Sequence, residues 1–251
     1  MPSVLINNSI CPKDIENIWP VPCNPALTHK RPFTVSITAN KDASVLEDVQ
    51  ATEQIKVYSD RSSQEGNVGA AATIYRNREG TRTLHYHLGP STQHTVHEAE
   101  LIGILLGLHL IKTEKKGRTS HALRVDNQAV LSSLNAVKMT SGQYITDAIL
   151  VTALQIRKTR NSANYSLKFR WTAGHTGIKG NKEVDTEAKK AAEGTSSTSK
   201  DLPPLLRKKI KLNKSALKQQ KHSGLKARWA QEWKLSPRYS KTAAIDPSLP
   251  S

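Results

Sequence analysis

The chain has 251 residues, of which 37% are hydrophobic and 5% aromatic, and its formal net charge is +16. Its length allows one sizeable hydrophobic core or two small ones. Its positive charge favours a phosphate-rich partner. Its longest apolar run, at 101–111, is shorter than the roughly 18 residues of a membrane span, and the N-terminus lacks the basic and apolar regions of a secretory signal. The two cysteines lie outside any CxxC or Cys/His cluster, which argues against a zinc module or a disulfide framework and indicates an intracellular protein, cytoplasmic or nuclear and not secreted.

The N-terminal part, residues 1–53, shows little sustained periodicity. It carries 4 basic and 6 acidic side chains, and six prolines fall within its first 32 residues. Proline fixes the backbone and interrupts both helices and sheets. We therefore expect an extended, proline-containing arm over 1–53.

Residues 54–194 have the alternating strand and helix patterns of a mixed α/β domain. In chain order the predicted elements are strands at 55–60, 69–77 and 81–89, a helix at 94–113, a strand at 122–125, helices at 127–137 and 141–160, a strand at 164–172 and a helix at 181–194. The order β-β-β-α-β-α-α-β-α predicts a five-stranded mixed sheet with flanking helices.

The C-terminal part, residues 195–251, reads as a linker followed by a basic, partly helical tail. Residues 200–251 carry 13 basic and 3 acidic side chains, a net charge of +10. That charge suits either sequence-independent contact with a nucleic acid backbone or a tail that only keeps the protein soluble. Trp229 and Trp233 are four residues apart, so a helix over 215–235 would place both on one face. A helix docked on the domain is the alternative to base stacking.

Two aspartates follow strands of the predicted sheet: Asp60 ends the first strand and Asp126 ends the fourth. Neighbouring strands of a mixed sheet can bring such side chains to one edge. Taken alone, each is equally well explained as a turn residue, or as a helix cap in the case of Asp126.

Glu100 lies among apolar residues of the long predicted helix, on the face that also carries Gly103 and Gly107. The two glycines allow this helix to approach the sheet closely, and a carboxylate there needs a partner because burying an unpaired charge is costly. Glu98 is expected to point elsewhere and to be solvated. Asp185 adds a fourth acid from the first turn of the last helix, where the helix dipole alone also favours it.

These four acids sit on elements that the predicted topology can bring to one edge of the sheet. Clustered carboxylates raise one another's pKa unless cations hold them. The cation that acts through few carboxylates together with substrate phosphates is Mg²⁺, and a pair of such ions suits phosphodiester hydrolysis. The pattern therefore predicts a site for two Mg²⁺ ions, with Mn²⁺ as a substitute.

Four blocks of the sequence resemble, in order and spacing, the signature blocks of type 1 ribonuclease H domains over about residues 54–194. The blocks are YSDRS, HEAELIGI, VDNQA and WTAGHTGIKGNKEVDTEAKKA. The resemblance implies the ribonuclease H-like α/β fold and endonucleolytic hydrolysis of the RNA strand of RNA–DNA hybrids. It implies catalytic and metal-binding roles for Asp60, Glu100, Asp126 and Asp185, and a role in proton transfer and product release for His175 in the glycine-rich loop.

A narrower resemblance concerns the ribonuclease H regions of fungal non-LTR retrotransposon polyproteins. It is carried by TVHEAELIGILLGL, SGQYI and the tail sequence RWAQEWKLSPRYSKTAAIDPSLPS. The chain is accordingly expected to be a fragment of such a polyprotein or a gene derived from one.

Two departures from the family pattern bear on activity. Arg61 stands where the family usually has glycine, and Lys182 stands where the closing block usually has an acid. They leave a catalytically inactive, nucleic-acid-binding remnant as the alternative to an active enzyme. A DNA transposase or integrase of the same fold fits less well, because its acids follow a different spacing and the WTAGH loop would be unexplained.

Overall fold

The computed structural model describes seven ranges of the chain: 10–18, 31–76, 79–115, 120–135, 140–160, 165–174 and 176–246. The strands are β1 (Thr34–Ser36), β2 (Ile55–Gln64), β3 (Asn67–Arg76), β4 (Glu79–Pro90), β5 (Ser120–Val125) and β6 (Ser166–Trp171). The helices are α1 (Lys41–Gln50), α2 (Val96–Thr113), α3 (Gln128–Asn135), α4 (Gln143–Arg160), α5 (Lys179–Ala192), α6 (Lys214–Lys234) and α7 (Tyr239–Ile245). Short 3₁₀ turns lie at Pro12–Asp14, Ser199–Asp201 and Pro204–Arg207.

The strands form one mixed sheet in the order β1-β6-β5-β2-β3-β4. The hairpin-connected strands β2, β3 and β4 are antiparallel, whereas β2 with β5, β5 with β6 and β1 with β6 are parallel. The predicted mixed α/β fold is confirmed. The sheet has six strands and not the predicted five, because β1 adds an edge strand beside β6.

Strand β3 is buried on both faces of the sheet, since helices cover each of them. Ala70 and Ala72 belong to the main core together with the apolar residues of α2. Their neighbour Ala71 points to the other face and packs in a second cluster with Val184 of α5. Small side chains in alternation thus let α2 and α5 sandwich the same strand.

Helix α2 lies directly against β2 and β5 because of its two glycines. A Cβ atom built at Gly103 would stand 3.3 Å from the carbonyl oxygen of Asp60, and one at Gly107 would stand 2.3 Å from Cδ1 of Leu123. The second distance is a collision, so a side chain at Gly107 would displace the side chain of Leu123 or the helix itself. The predicted glycine-mediated approach of this helix to the sheet is confirmed.

The N-terminal part differs from the extended arm that we expected over 1–53. Within it, β1 pairs with β6 from Thr34↔Lys168 to Ser36↔Arg170, and α1 packs beside the same edge. The hydroxyl of Ser44 donates to the carbonyl oxygen of Trp171 (3.3 Å) and accepts from the backbone N–H of Ala173 (2.9 Å). Residues 31–53 are therefore an integral layer of the domain.

The segment expected to be a linker is also part of the domain. The backbone N–H of Ser197 donates to the carbonyl oxygen of His85 on β4 (3.0 Å). Farther on, Leu202, Leu206 and Ile210 are 3–5% exposed and belong to the main hydrophobic core. Beyond Ala216 the residues of α6 are almost all solvent-exposed, and the bounds of α6 agree with the helix predicted over 215–235. None of the described helices is both long enough and apolar enough to cross a membrane.

Candidate active site

The parallel pairing of β2 with β5 brings Asp60 and Asp126 next to each other. The register runs from Ile55↔His121 to Ser59↔Val125 and stops there, and the two aspartates are the next residues of the two strands. We had predicted that Asp60 ends its strand, and this is wrong, because β2 continues to Gln64 as the first arm of the hairpin with β3. It marks the point where β2 extends beyond its parallel neighbour.

Glu100 reaches this point from α2 and is almost fully buried, with 2% exposure. Its Oε1 accepts from Nε of Arg61 (3.3 Å) and from Nδ2 of Asn127 (3.2 Å). Burial, followed by the charge of Asp126, raises the pKa of Glu100 to about 7, while the bonds from Asn127 and Arg61 oppose the rise.

The carboxylate of Asp60 is acted on by the charges of all three other acids. Burial is the largest cause that raises its pKa to about 8, and the charges of Asp126, Glu100 and Asp185 add to it. The backbone N–H of Arg61, which donates to Oδ1 of Asp60 at 2.7 Å, acts in the opposite direction. The structure thus places the four predicted acids close enough for the other three charges to act on Asp60.

A cavity of about 460 Å³ opens on this cluster. Three of the four acids line it, Asp60, Asp126 and Asp185, and Glu100 lies behind them. The loop before α5 forms one wall: a Cβ built at Gly174 would stand 3.3 Å from Oδ2 of Asp126, so glycine allows the backbone to lie against that carboxylate. Arg61, Lys182 and Lys189 also line the cavity, which surrounds the acids with cations.

The donor set suits a hard cation, since it consists of carboxylates held around a buried group with a raised pKa. In the described part of the chain, however, no three His, Cys, Asp or Glu side chains already stand in a metal-holding arrangement. Two of the acids are paired with side-chain cations instead. Arg61 contacts Glu100, and Nζ of Lys189 lies 2.6 Å from Oδ2 of Asp185. These residues fit metal ions provided that both ion pairs open.

Two predictions about neighbouring residues have different outcomes. His175 lies outside the described residues, so its position in the glycine-rich loop stays a prediction. We expected Glu98 to be solvated, but its side chain is fully buried. It accepts from the hydroxyl of Tyr144 at 2.9 Å and lies 3.1 Å from Nδ1 of His94, which explains how a carboxylate two residues from Glu100 can be buried away from the cavity.

Three polar residues of the site escaped the sequence analysis. Asn127 holds Glu100, Lys189 holds Asp185, and Asn181 lines the cavity with a buried Oδ1 that has no hydrogen-bond partner among the described residues. The position of Lys189 four residues after Asp185 was a readable signal for their ion pair. The contact between Asn127 and Glu100 joins distant parts of the chain and has no local signature.

Several solved structures are similar to this chain. The N-terminal RNase H domain of a Mycobacterium tuberculosis protein, solved as a fusion with maltose-binding protein, is 18% identical, with a TM-score of 0.40 over 57% of this chain and 95% of that one. RNase H1 from Halobacterium salinarum is 16% identical (TM-score 0.41; 56% and 98% covered). LC11-RNase H1, solved in complex with an RNA/DNA hybrid, is 14% identical (TM-score 0.42; 55% and 96% covered).

No curated protein matches the chain significantly. The model of the RNase H family matches residues 52–193, which is more than half of the sequence and contains every residue of the acidic cluster. The chain therefore belongs to the RNase H family.

Proposed function

We propose that the chain is an endonuclease that hydrolyses the RNA strand of RNA–DNA hybrids and leaves 3′-hydroxyl and 5′-phosphate ends. Asp60, Glu100, Asp126 and Asp185 would be its catalytic residues and would hold two divalent ions, Mg²⁺ or in its place Mn²⁺. The observation that carries the proposal is the raised pKa of Asp60, because it results from burial beside three other carboxylates. Such a concentration of negative charge is costly in a folded protein unless a cation is to be bound.

The protein's own residues supply orientation and proton handling at this site. When bound, the divalent ions supply Lewis acidity toward the scissile phosphate and the attacking water. Asn127 fixes the carboxylate of Glu100, and the backbone N–H of Arg61 fixes that of Asp60. Lys182 borders the cavity, where its charge can meet a substrate phosphate. His175 is proposed to assist proton transfer and product release.

The choice of the RNA strand is proposed to depend on its 2′-hydroxyl groups. These groups line the wide, shallow minor groove of an A-like duplex and distinguish RNA from DNA at a given position. Basic side chains around the cavity would hold the backbone of the other strand, which needs no base recognition.

An inactive nucleic-acid-binding remnant is the second candidate function. It is favoured by the two ion pairs that already occupy Glu100 and Asp185. If those pairs persist in the presence of metal ions, the cluster is a neutralised structural site.

One assay separates the two candidates: Mg²⁺-dependent cleavage of an end-labelled RNA–DNA hybrid, with duplex DNA and duplex RNA beside it. We expect cleavage of the RNA strand of the hybrid only.

Asp126→Asn should abolish cleavage and leave the melting temperature within a few degrees of that of the natural chain, because the amide keeps the shape but loses the charge that binds a cation. Asp42→Asn, at an exposed position in α1, is the matched control and should cleave normally. Full cleavage by Asp126→Asn would remove the acidic cluster from the mechanism.

We further propose a type 1 ribonuclease H that originates from a fungal non-LTR retrotransposon polyprotein, on the strength of the sequence blocks quoted above. The proposed compartment is the cytoplasm or the nucleus. The exposed free thiol of Cys11 agrees with a reducing environment.

A further inference from the structure

Helix α6 lies outside the residues that match the RNase H family, yet its first turn is fixed firmly to the domain. The backbone N–H of Asn213 donates to the carbonyl oxygen of Gln93 (2.9 Å), and that of Lys214 donates to Oε1 of the buried Glu16 (2.8 Å). Ala216 is 1% exposed. From Lys218 onward, nearly all side chains of the helix are exposed, so α6 projects from a rigid base.

A large groove separates the first turns of α6 from the start of α2. Its volume is about 1290 Å³. One wall is formed by Thr95, Val96 and His97, and the other by Lys214, Lys218 and Lys221. We call this feature the α6 groove.

The α6 groove is basic, and no carboxylate of the described residues lines it. Lys214, Lys218 and Lys221 follow one another at helical spacing and share the face that continues to Leu225. None of the three lysine ammonium groups forms an ion pair within the described residues. The nearby acids Glu16 and Glu98 are buried and already accept hydrogen bonds. The groove thus offers three free positive charges in a row.

The α6 groove begins close to the acidic cluster. Val96 in its wall precedes Glu100 by four residues on α2, which places the two residues on one helical face about 6 Å apart along the axis. The groove and the acidic cluster therefore share helix α2, which makes the groove the neighbouring surface on that helix for a duplex bound at the cavity.

We propose that the α6 groove binds the sugar–phosphate backbone of a nucleic acid beside the catalytic site. The inference rests on the proposed function for the identity of the duplex, an RNA–DNA hybrid. It adds a binding element, supplied by the tail, that lies beyond the family's own region. Lysine contacts to phosphates release condensed counterions, so their contribution depends on salt and not on sequence.

The test measures the binding of an RNA–DNA hybrid by fluorescence anisotropy at several salt concentrations, in EDTA so that no cleavage occurs. The variant is the full chain with Lys218→Ala and Lys221→Ala. We expect its affinity to fall roughly 10-fold at about 0.1 M salt, and the slope of log K against log salt to become shallower by about 1.8 for two lost phosphate contacts. Arg157→Ala with Lys158→Ala is the matched control, because it removes two exposed charges at the far end of α4 and should change the slope little.

The outcomes separate the inference from the proposed function. A chain that cleaves hybrids while the Lys218/Lys221 variant keeps the natural salt slope would overturn the inference alone. A chain that cleaves nothing while the same variant loses affinity would overturn the proposed activity and support the groove. A dimer in sedimentation that Leu225→Asp dissociates, combined with an unchanged salt slope, would assign the face to a second copy of the chain and also overturn the inference.

Discussion

Arg61, which stands where the sequence resemblance leads us to expect a glycine, contacts an acid of the cluster in the structure. Its guanidinium lies 3.3 Å from Glu100, with the arginine side chain 40% exposed and the glutamate 2% exposed. A partly exposed pair of this kind contributes about 0.5–1 kcal/mol. Arg61 therefore competes with a divalent cation for Glu100 at modest cost.

Replacing Arg61 with glycine should strengthen metal binding. From the strength of such a pair we expect Arg61→Gly to bind Mg²⁺ roughly 2- to 5-fold more tightly, as measured by titration calorimetry, and to need less Mg²⁺ for half-maximal cleavage. Arg61→Lys, which keeps the charge, is the control and should resemble the natural chain. Unchanged metal affinity together with weaker hybrid binding would show instead that Arg61 contacts a substrate phosphate.

His121 is a second residue with a measurable consequence, because it is fully buried in β5 and neither ring nitrogen has a hydrogen-bond partner among the described residues. Burial, and secondarily the charge of Arg160, lowers its pKa from 6.5 to about 4. In the unfolded chain it binds a proton at a higher pH than in the folded protein. The folded state is therefore favoured above pH 6.5, and this contribution is lost as the pH falls toward 4.

Replacing His121 should reduce the acid sensitivity of the fold. The pKa difference corresponds to about 3 kcal/mol between pH 7 and pH 4. His121→Leu should lose that much less stability over this interval than the natural chain in urea unfolding. The exposed His222→Leu serves as the control. An equal acid-induced loss in the His121 variant and the natural chain would mean that other groups, and not this ring, determine the pH dependence.

At the scale of elements, two segments that lie far apart in the sequence hold each other in place. The segment 10–16 lies beside 211–214: Ile15 bridges to Leu212 in parallel, and the backbone N–H of Leu212 donates to the carbonyl oxygen of Asp14 (2.7 Å). Glu16 completes the contact as a buried carboxylate. It accepts from the hydroxyl of Ser141, from the backbone N–H of Gly142 (2.7 Å) and from that of Lys214 (2.8 Å).

Removal of the Glu16 carboxylate should loosen α6 before it unfolds the domain. Glu16→Ala leaves several buried donors without an acceptor, which costs roughly 2–4 kcal/mol. We expect faster hydrogen exchange at the start of α6 and around Gly142, with β2 and β3 protected as before. The exposed Glu193→Ala is the control. Uniformly faster exchange across the sheet would show that this contact stabilises the whole fold and not one element.

The elements of residues 54–194 could be predicted because their apolar residues repeat at strand or helix spacing and their motifs occur in the family's order. Helix α1 could not, because it faces the domain with polar groups. Ser44 bonds to the end of β6, and Asp48 pairs with the fully buried Arg124 at 2.8 Å. Its apolar residues Leu46 and Val49 are 56% and 66% exposed. A hydrophobic pattern therefore indicated nothing about where α1 packs.

The four clustered acids illustrate the same limit within the site. The motifs identified all four acids and the glycines identified the approach of α2, so the cluster was predictable. The cation that pairs with Glu100 was not, because Arg61 and Glu100 are 39 residues apart. The fold brings these two residues together, and no regular spacing in the sequence indicates their contact.

For the whole molecule, the end of the family region is not the end of the folded unit. The family match stops at residue 193, and the sequence analysis placed the end of the α/β domain at residue 194. Leu202, Leu206 and Ile210, however, are buried in the main core. Burying three such side chains contributes roughly 5–9 kcal/mol, which is comparable to the entire stability of an ordinary domain.

Two truncations should therefore behave differently. A chain that ends at Gly194 should unfold or aggregate at room temperature, because it exposes the core surface that the next 18 residues cover in the full chain. A chain that ends at Leu217 keeps those residues and the Glu16 contact. It should melt within a few degrees of the full chain by circular dichroism, cleave hybrids with the same metal dependence, and show a shallower salt slope in binding because most of α6 is gone. Cooperative melting of the Gly194 truncation near the temperature of the full chain would show that the tail is an accessory to the core and would restore residue 194 as the domain boundary.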